Sequence, residues 1–136
     1  MRISDVSQRT GLSEHTLRFY EKLGLLPDVA KTRGGIRDYG ERDLETLNII
    51  ECLKQTGMPL RDIMQFITWC TMGDQTIQNR HQMFLQRRDI VMKQLTQIKK
   101  TLEIIDFKIK YYADAMAAGT LGIYQDAPRH APCLFN

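Results

Sequence analysis

Cysteine is scarce in this sequence: Cys52, Cys70 and Cys133 are the only three, odd in number and widely spaced. That pattern excludes the disulfide framework of a small secreted domain. Long hydrophobic runs are missing as well. Nothing approaches the roughly 18 apolar residues of a membrane-spanning helix, so no membrane partner is expected. The opening residues, Met1-Arg2-Ile3-Ser4-Asp5, lack the apolar core of a signal peptide, and the expected location is the cytoplasm. Charge of one sign is not in large excess. The net charge is +3, and residues 1–56 carry nine Lys/Arg against nine Asp/Glu. An argument for an anionic partner must therefore rest on where the basic groups stand, because their sum does not supply it. Catalytic constellations are absent at usable spacing: no Gly-rich phosphate loop, no Ser-His-Asp set and no paired acidic site. His15, His81 and His130 are scattered. The chain is expected to be no enzyme and to need no cofactor.

What is present starts with Ser13–Gly24. Ser13 is a helix N-cap signal, and Gly24 suits the left-handed residue that closes a helix. Leu17, Tyr20 (or Glu21) and Leu23 recur at helical spacing. His15, Thr16, Arg18, Phe19 and Lys22 lie largely off that apolar line. Residues 3–10 read as a preceding short helix with Ser4 as its N-cap, interrupted by Gly11. Two helices joined by a tight Gly-containing turn make a helix-turn-helix, whose second helix enters the major groove. A plain helical hairpin explains the turn and spacing equally well. Pro27 then disfavours helix at Leu26. Lys31-Thr32-Arg33-Gly34-Gly35-Ile36-Arg37-Asp38-Tyr39 carries a Gly-Gly hairpin signal flanked by basic groups. Beside a helix-turn-helix it reads as a wing able to grip phosphate; alone it would read as a surface loop.

Helical periodicity resumes over residues 41–56, with Leu44, Leu47, Ile50 and Leu53 on one face and Ile49 and Cys52 adjoining it. Gly57-Met58-Pro59 breaks that helix, and Pro59 fits the first turn of the next, Leu60 to Cys70. Its apolar face holds Ile63, Phe66, Ile67 and Cys70, and residues 71–75 form a hinge. From Thr76 to Met116 there is neither Pro nor Gly. A seven-residue register runs through Ile77, Phe84, Val91, Ile98, Ile105 and Tyr112, and a second through His81, Arg88, Leu95, Leu102, Ile109 and Met116. So narrow a seam on so long a helix needs a partner, and a coiled coil between two copies is the natural one. Packing on its own domain is the alternative. The seam alone leaves the orientation of the two helices open. From Gly119 the tail has little periodicity, and Leu121, Ile123, Tyr124, Leu134 and Phe135 are available to dock on another surface. The expected fold is mainly α: a winged helix-turn-helix with following helices over 1–72, a dimerisation helix over 73–118 and a tail over 119–136.

Three motifs in this order resemble the MerR family of bacterial transcription regulators. Thr16-Leu17-Arg18-Phe19-Tyr20-Glu21-Lys22-Leu23-Gly24-Leu25-Leu26-Pro27 resembles the family's second-helix signature. Gly35-Ile36-Arg37-Asp38-Tyr39 resembles its wing, with Ile36 where many members have Tyr. Gly57-Met58-Pro59-Leu60-Arg61-Asp62-Ile63 resembles the start of a later helix. The resemblance covers residues 1 to about 117. It implies a homodimer held by an antiparallel coiled coil through Ile77, Phe84, Val91, Leu95, Ile98, Leu102, Ile105 and Ile109. It implies binding to palindromic double-stranded promoter DNA, which is bent and untwisted so that RNA polymerase is helped indirectly. Such deformation costs several kcal/mol and must be returned by contacts. Carried onto this sequence, the DNA contacts are Thr16, Arg18 and Tyr20 on the helix, Arg33, Arg37 and Tyr39 on the wing, then His15, Phe19 and Lys22, with Lys54 reaching a phosphate.

The effector is less constrained. Metal-sensing members of the family converge thiolates around the dimer helix, and here that helix has no Cys; His130 is the nearest companion of Cys133. No metal site is expected, although a metal-responsive regulator remains an alternative reading. Glu51-Cys52-Leu53-Lys54-Gln55-Thr56-Gly57, with the wing motif and Gly73-Asp74, resembles the AdhR/NmlR branch, associated with aldehyde or electrophile stress. That makes Cys52, and after it Cys70, the sensor candidates, against the alternative of small packed hydrophobes. A coiled-coil interaction module without DNA binding is the competing functional class.

Overall fold

The computed structural model describes residues 1–27 and 29–124. It resolves into two compact units, the first Met1–Arg87 and the second beginning at Arg88. In chain order the first unit contains α1 (Ile3–Thr10), α2 (Glu14–Lys22), β1 (Ala30–Lys31), β2 (Arg37–Asp38), α3 (Glu41–Gln55) and α4 (Leu60–Met72). A short 3-10 turn, Asp74–Thr76, precedes α5 (Ile77–Ala118), whose first turns close this unit and whose remainder forms the second. Among the described residues no helix is long and apolar enough to cross a membrane.

The helix pair forms as its end signals dictate, with one correction. Ser4 is not the N-cap of α1. The helix spans Ile3–Thr10 as expected, but its N-cap is Arg2, two residues before Ser4, and the Asp5 carboxylate reaches back and accepts from the Arg2 amide at 3.0 Å. An acidic side chain there also suits the positive end of the helix dipole. Ser13 caps α2 as expected, its hydroxyl accepting from the Thr16 amide at 3.0 Å. Gly24, at φ +84°, closes α2. The Leu25 amide then donates to the Tyr20 carbonyl (2.9 Å) and the Gly24 amide to that of Glu21 (3.0 Å). This closure satisfies two end carbonyls and turns Leu25 into the core beside Tyr20.

The core of the first unit gathers Val6 from α1, Leu17 and Tyr20 from α2, Leu47, Ile50 and Leu53 from α3, and Ile63 and Ile67 from α4. These are the positions the helical periodicity selects. Two expectations for α4 shift. Pro59 stands at the N-cap rather than inside the first turn. Cys70 is exposed, because it lies on the rim of an open cleft of about 250 Å³ that Leu26, Pro27, Ile49 and Ile67 also line. The expected hinge before α5 is a bonded elbow. The Thr76 hydroxyl lies 2.6 Å from the Trp69 carbonyl, and Arg80 donates to the Gly73 carbonyl at 2.7 Å. An end carbonyl of α4 thereby gains a cationic donor, as helix C-termini favour.

α5 is continuous for 42 residues, about 63 Å at the usual rise. Near its start the Phe84 ring meets the Phe66 ring edge-on, with centroids 5.4 Å apart. In the second unit the heptad positions lie open: Ile98 is 58% exposed, Leu102 52% and Ile109 63%. Leu121 and Ile123 are exposed too. The docking expected of Leu134 and Phe135, and the positions of His130 and Cys133, lie outside the described residues, as does the Tyr124 side chain.

Candidate nucleic-acid interface

Burying Leu17 and Tyr20 fixes which way α2 faces. His15, Arg18, Phe19 and Lys22 are turned to solvent, and Thr16 is half-buried beside Ser13. Phe19 is 44% exposed, with the Tyr20 ring tilted beside it at 6.4 Å between centroids. Arg18 pairs with Glu14 at 3.3 Å, a helical i,i+4 contact that is weak enough in water to be exchanged for a phosphate.

The hairpin forms beside it. Ala30 pairs with Asp38 and Lys31 with Arg37 in antiparallel register. The loop between them is longer than a two-residue Gly-Gly turn. The Thr32 amide donates to Ile36 (2.7 Å) and the Gly35 amide back to Thr32 (3.0 Å), so Arg33, Gly34 and Gly35 form a three-residue loop. Lys31 and Arg33 are exposed, and Ile36 projects from the hairpin at 46% exposure. The start of α1, the outer face of α2 and the hairpin enclose an open cleft of about 380 Å³. Arg2, Arg18 and Arg37 line it against a single carboxylate, Glu14. Three of the basic groups of the formally neutral residues 1–56 thus line one concave side. Salt dependence and groove binding follow from such a placement rather than from total charge.

Three of the expected contact residues are placed differently. Tyr20 and Tyr39 are core side chains, 2% and 1% exposed. The reason is the dual chemistry of tyrosine: the ring is packed as a hydrophobe while the hydroxyl finds a polar partner. The Tyr20 hydroxyl donates to Glu51 at 2.9 Å and accepts from the Lys54 ammonium at 2.7 Å. Burial raises the Tyr20 pKa, the Lys54 bond opposes this and Glu51 adds to it. The Tyr39 hydroxyl faces Glu21 at 3.4 Å, and its pKa is raised first by burial and then by that carboxylate. Lys54 stays exposed, but its ammonium is engaged: its bond to Tyr20 raises its pKa, and it lies 3.8 Å from Glu51.

Glu21 and Glu51 lie inside the quoted motifs, but the sequence assigns neither carboxylate a role, and the fold gives each one. Glu21 holds both Arg37, through a short ion pair, and Tyr39, so it ties the hairpin to α2. Glu51 and Lys54 tie α2 to α3 through one phenol. The available signal was a carboxylate standing between Arg18 and Lys22 on an otherwise basic face. Arg2 was missed because it precedes the helix and no periodicity reaches it.

Cys52 is exposed on the outer side of α3, and Cys70 is exposed at the end of α4. Among the described residues no group of three or more His, Cys, Asp or Glu side chains is arranged to hold a metal ion.

Known proteins share this arrangement. The chain is 37% identical over 115 residues to an uncharacterised HTH-type transcriptional regulator of Haemophilus influenzae, covering 85% of each. It is 35% identical over 88 residues to the HTH-type transcriptional regulator AdhR of Bacillus subtilis, covering 65% of this chain and 63% of that one. Among solved structures, HiNmlR, a MerR family regulator lacking the sensor domain and bound to promoter DNA, superposes with a TM-score of 0.72 at 34% identity, over 96% of this chain and 98% of that one. The model of the MerR HTH family regulatory proteins matches residues 1–68. With that match across the helix-turn-helix, the wing and α3, and with relatives aligned over most of its length, the chain belongs to the MerR family of HTH transcriptional regulators.

Proposed function

We propose that the chain binds promoter DNA as a homodimer and distorts it to control transcription in response to an effector. One observation carries this reading: α2 buries Leu17 and Tyr20 and thereby turns Arg18, Phe19 and Lys22 outward, beside a hairpin that presents Lys31 and Arg33. Thr16, Arg18 and Lys22 sit where a second helix meets base edges and phosphates, with His15 and Phe19 flanking them. Arg33 and Arg37 grip the backbone beside the groove. Tyr20, Tyr39 and Lys54 act by positioning α2 and the wing. The exposed seam of α5 supplies the second copy, its helices antiparallel. Two α2 helices then face two half-sites of a palindrome, and RNA polymerase is served through the bent and untwisted DNA.

Mapping genomic sites bound by the purified protein identifies the DNA. Gel shifts on such a site then test the mode of binding. With Arg18, Lys22, Arg33 and Arg37 each neutralising one phosphate per copy, log affinity falls with log salt at a slope of roughly −7 for a dimer. Arg18→Ala weakens binding by about 1–3 kcal/mol, and an effect confined to one base position marks it as a base contact. A slope near zero, or full binding by Arg18→Ala, removes α2 from the interface.

The effector reading rests on Cys52. Its exposed thiol is reachable by an aldehyde or another electrophile. In the aldehyde case the sulfur bonds to the carbonyl carbon, the C=O π pair moves onto oxygen, and the proton lost by the thiol ends on that oxygen, giving a hemithioacetal. Cys52→Ser abolishes the promoter response to aldehyde in this reading; an unchanged response transfers the role elsewhere, with Cys70 next.

A further inference from the structure

The last turn of α3 is fastened on two sides. On one side Lys54 and Glu51 hold the Tyr20 hydroxyl of α2. On the other, Arg87, in the third turn of α5, donates from Nε to the Thr56 carbonyl at 3.1 Å. Thr56 is the C-cap of α3, and a guanidinium there meets both an end carbonyl and the negative end of the helix dipole. The closing residue is built to admit it. Gly57 takes φ +79°, its amide donates to Lys54 at 2.9 Å, and the Met58 amide donates to Leu53 at 3.3 Å. A Cβ on Gly57 would stand 2.9 Å from Nη2 of Arg87. The glycine is required for its backbone conformation, and the mobile tip of the Arg87 side chain lies against its open side.

We propose that this turn couples α5 to α2, with Arg87 as the positioning residue: displacing the start of α5 releases the end of α3, and with it the Lys54–Tyr20 anchor that holds the DNA-facing helix. The DNA consequence rests on the function proposed above; the coupling itself is a property of the free protein. Cys52 lies between Glu51 and Leu53 in the same turn, so an adduct on its sulfur would act on this coupling point directly. Arg80 gives an internal contrast. It anchors the same helix elsewhere: its hydrogen bonds among the described residues go to the Thr76 hydroxyl and the Gly73 carbonyl.

Amide hydrogen exchange on the full-length protein without DNA tests the coupling. Arg87→Ala is expected to speed exchange at least fivefold in peptides covering residues 53–58 and also 17–25, while a peptide covering 3–10 stays unchanged. Arg80→Gln is expected to loosen the elbow and leave 17–25 as in the wild type. Acceleration confined to 53–58, uniform acceleration across the unit, or an equal effect of Arg80→Gln at 17–25 overturns the proposal. The second arm measures DNA bending by energy transfer between end-labelled fluorophores on a mapped site. Arg87→Ala is expected to bind within about threefold of wild type yet lose most of the bend, and Arg87→Lys to recover part of it. Parallel loss of affinity and bend makes Arg87 merely structural. Failure of the wild type to bind DNA removes the proposed function, and the exchange result still decides the coupling.

Discussion

At the residue scale the first unit is held at its seams by tyrosines that face carboxylates. Tyr39 and Arg37 share Glu21, and Tyr20 shares Glu51 with Lys54. These groups make stability depend on alkaline pH in a definite direction. The Tyr20 and Tyr39 pKa values are raised by burial, and that of Lys54 by its bond to Tyr20. A group whose pKa is higher in the folded state stabilises fully below its unfolded value and loses that stabilisation as pH climbs through the folded one. All three act in the same sense, so stability is flat with respect to them below about pH 10, the ordinary range of tyrosine and lysine, and falls above it. Urea midpoints measured from pH 8 to 11 should show this decline, and Tyr20→Phe should make it shallower. A decline that is equally steep in Tyr20→Phe and Tyr39→Phe would place its origin outside these pairs.

At the element scale, the helices were legible and the orientation of certain side chains was not. α2 announces itself through Ser13, Leu17 and Gly24, each of which does in the fold what its chemistry allows. The wing was legible as a hairpin, but its loop length depends on which glycine takes the left-handed conformation, and Gly35 does so. The apolar line of α2 includes Tyr20, yet the burial of Tyr20 and Tyr39 was not legible from their expected DNA contacts, because a tyrosine can pack its ring and still present a hydroxyl, and its partner, Glu51 or Glu21, lies across the fold. Cys70 follows the apolar period of α4 yet stays exposed, since periodicity cannot show where the facing helix leaves a cleft. Arg87 was invisible for the same reason: its partner is a carbonyl 31 residues away in sequence. The closure of α2 gives a prediction free of such complications. A Cβ on Gly24 meets nothing within 4 Å, so Gly24→Ala carries only the backbone cost of φ +84°. That cost is about 1 kcal/mol, read as a drop of several degrees in Tm for a unit of this size. A stability equal to wild type would mean that α2 closes by another route.

At the scale of the whole molecule the open question for the chain is what covers α5. A Leu or Ile taken fully out of water stabilises by about 1.5–3 kcal/mol, and Ile98, Leu102, Ile105 and Ile109 all stand half exposed or nearly so. Each recurs at heptad spacing, so one flat partner or several small ones fit less well than a second helix of matching period. The polar positions in the register, His81 and Arg88, both lie toward its start, where a second copy running antiparallel would meet the opposite end of the seam. Leu102→Glu places a carboxylate in each copy of that seam, and burying an unpaired charge is costly enough to exceed what one helix pair gains per heptad. The expected outcome is a monomer by sedimentation equilibrium at micromolar concentration, with unit-one stability retained and affinity for a palindromic site reduced at least a hundredfold, because two half-sites are then bound independently. Glu103→Gln, one residue away and outside the seam register, should remain a dimer with wild-type affinity. A dimeric Leu102→Glu would assign the seam to another role, whereas a monomeric one that still binds DNA as tightly as wild type would separate self-association from recognition.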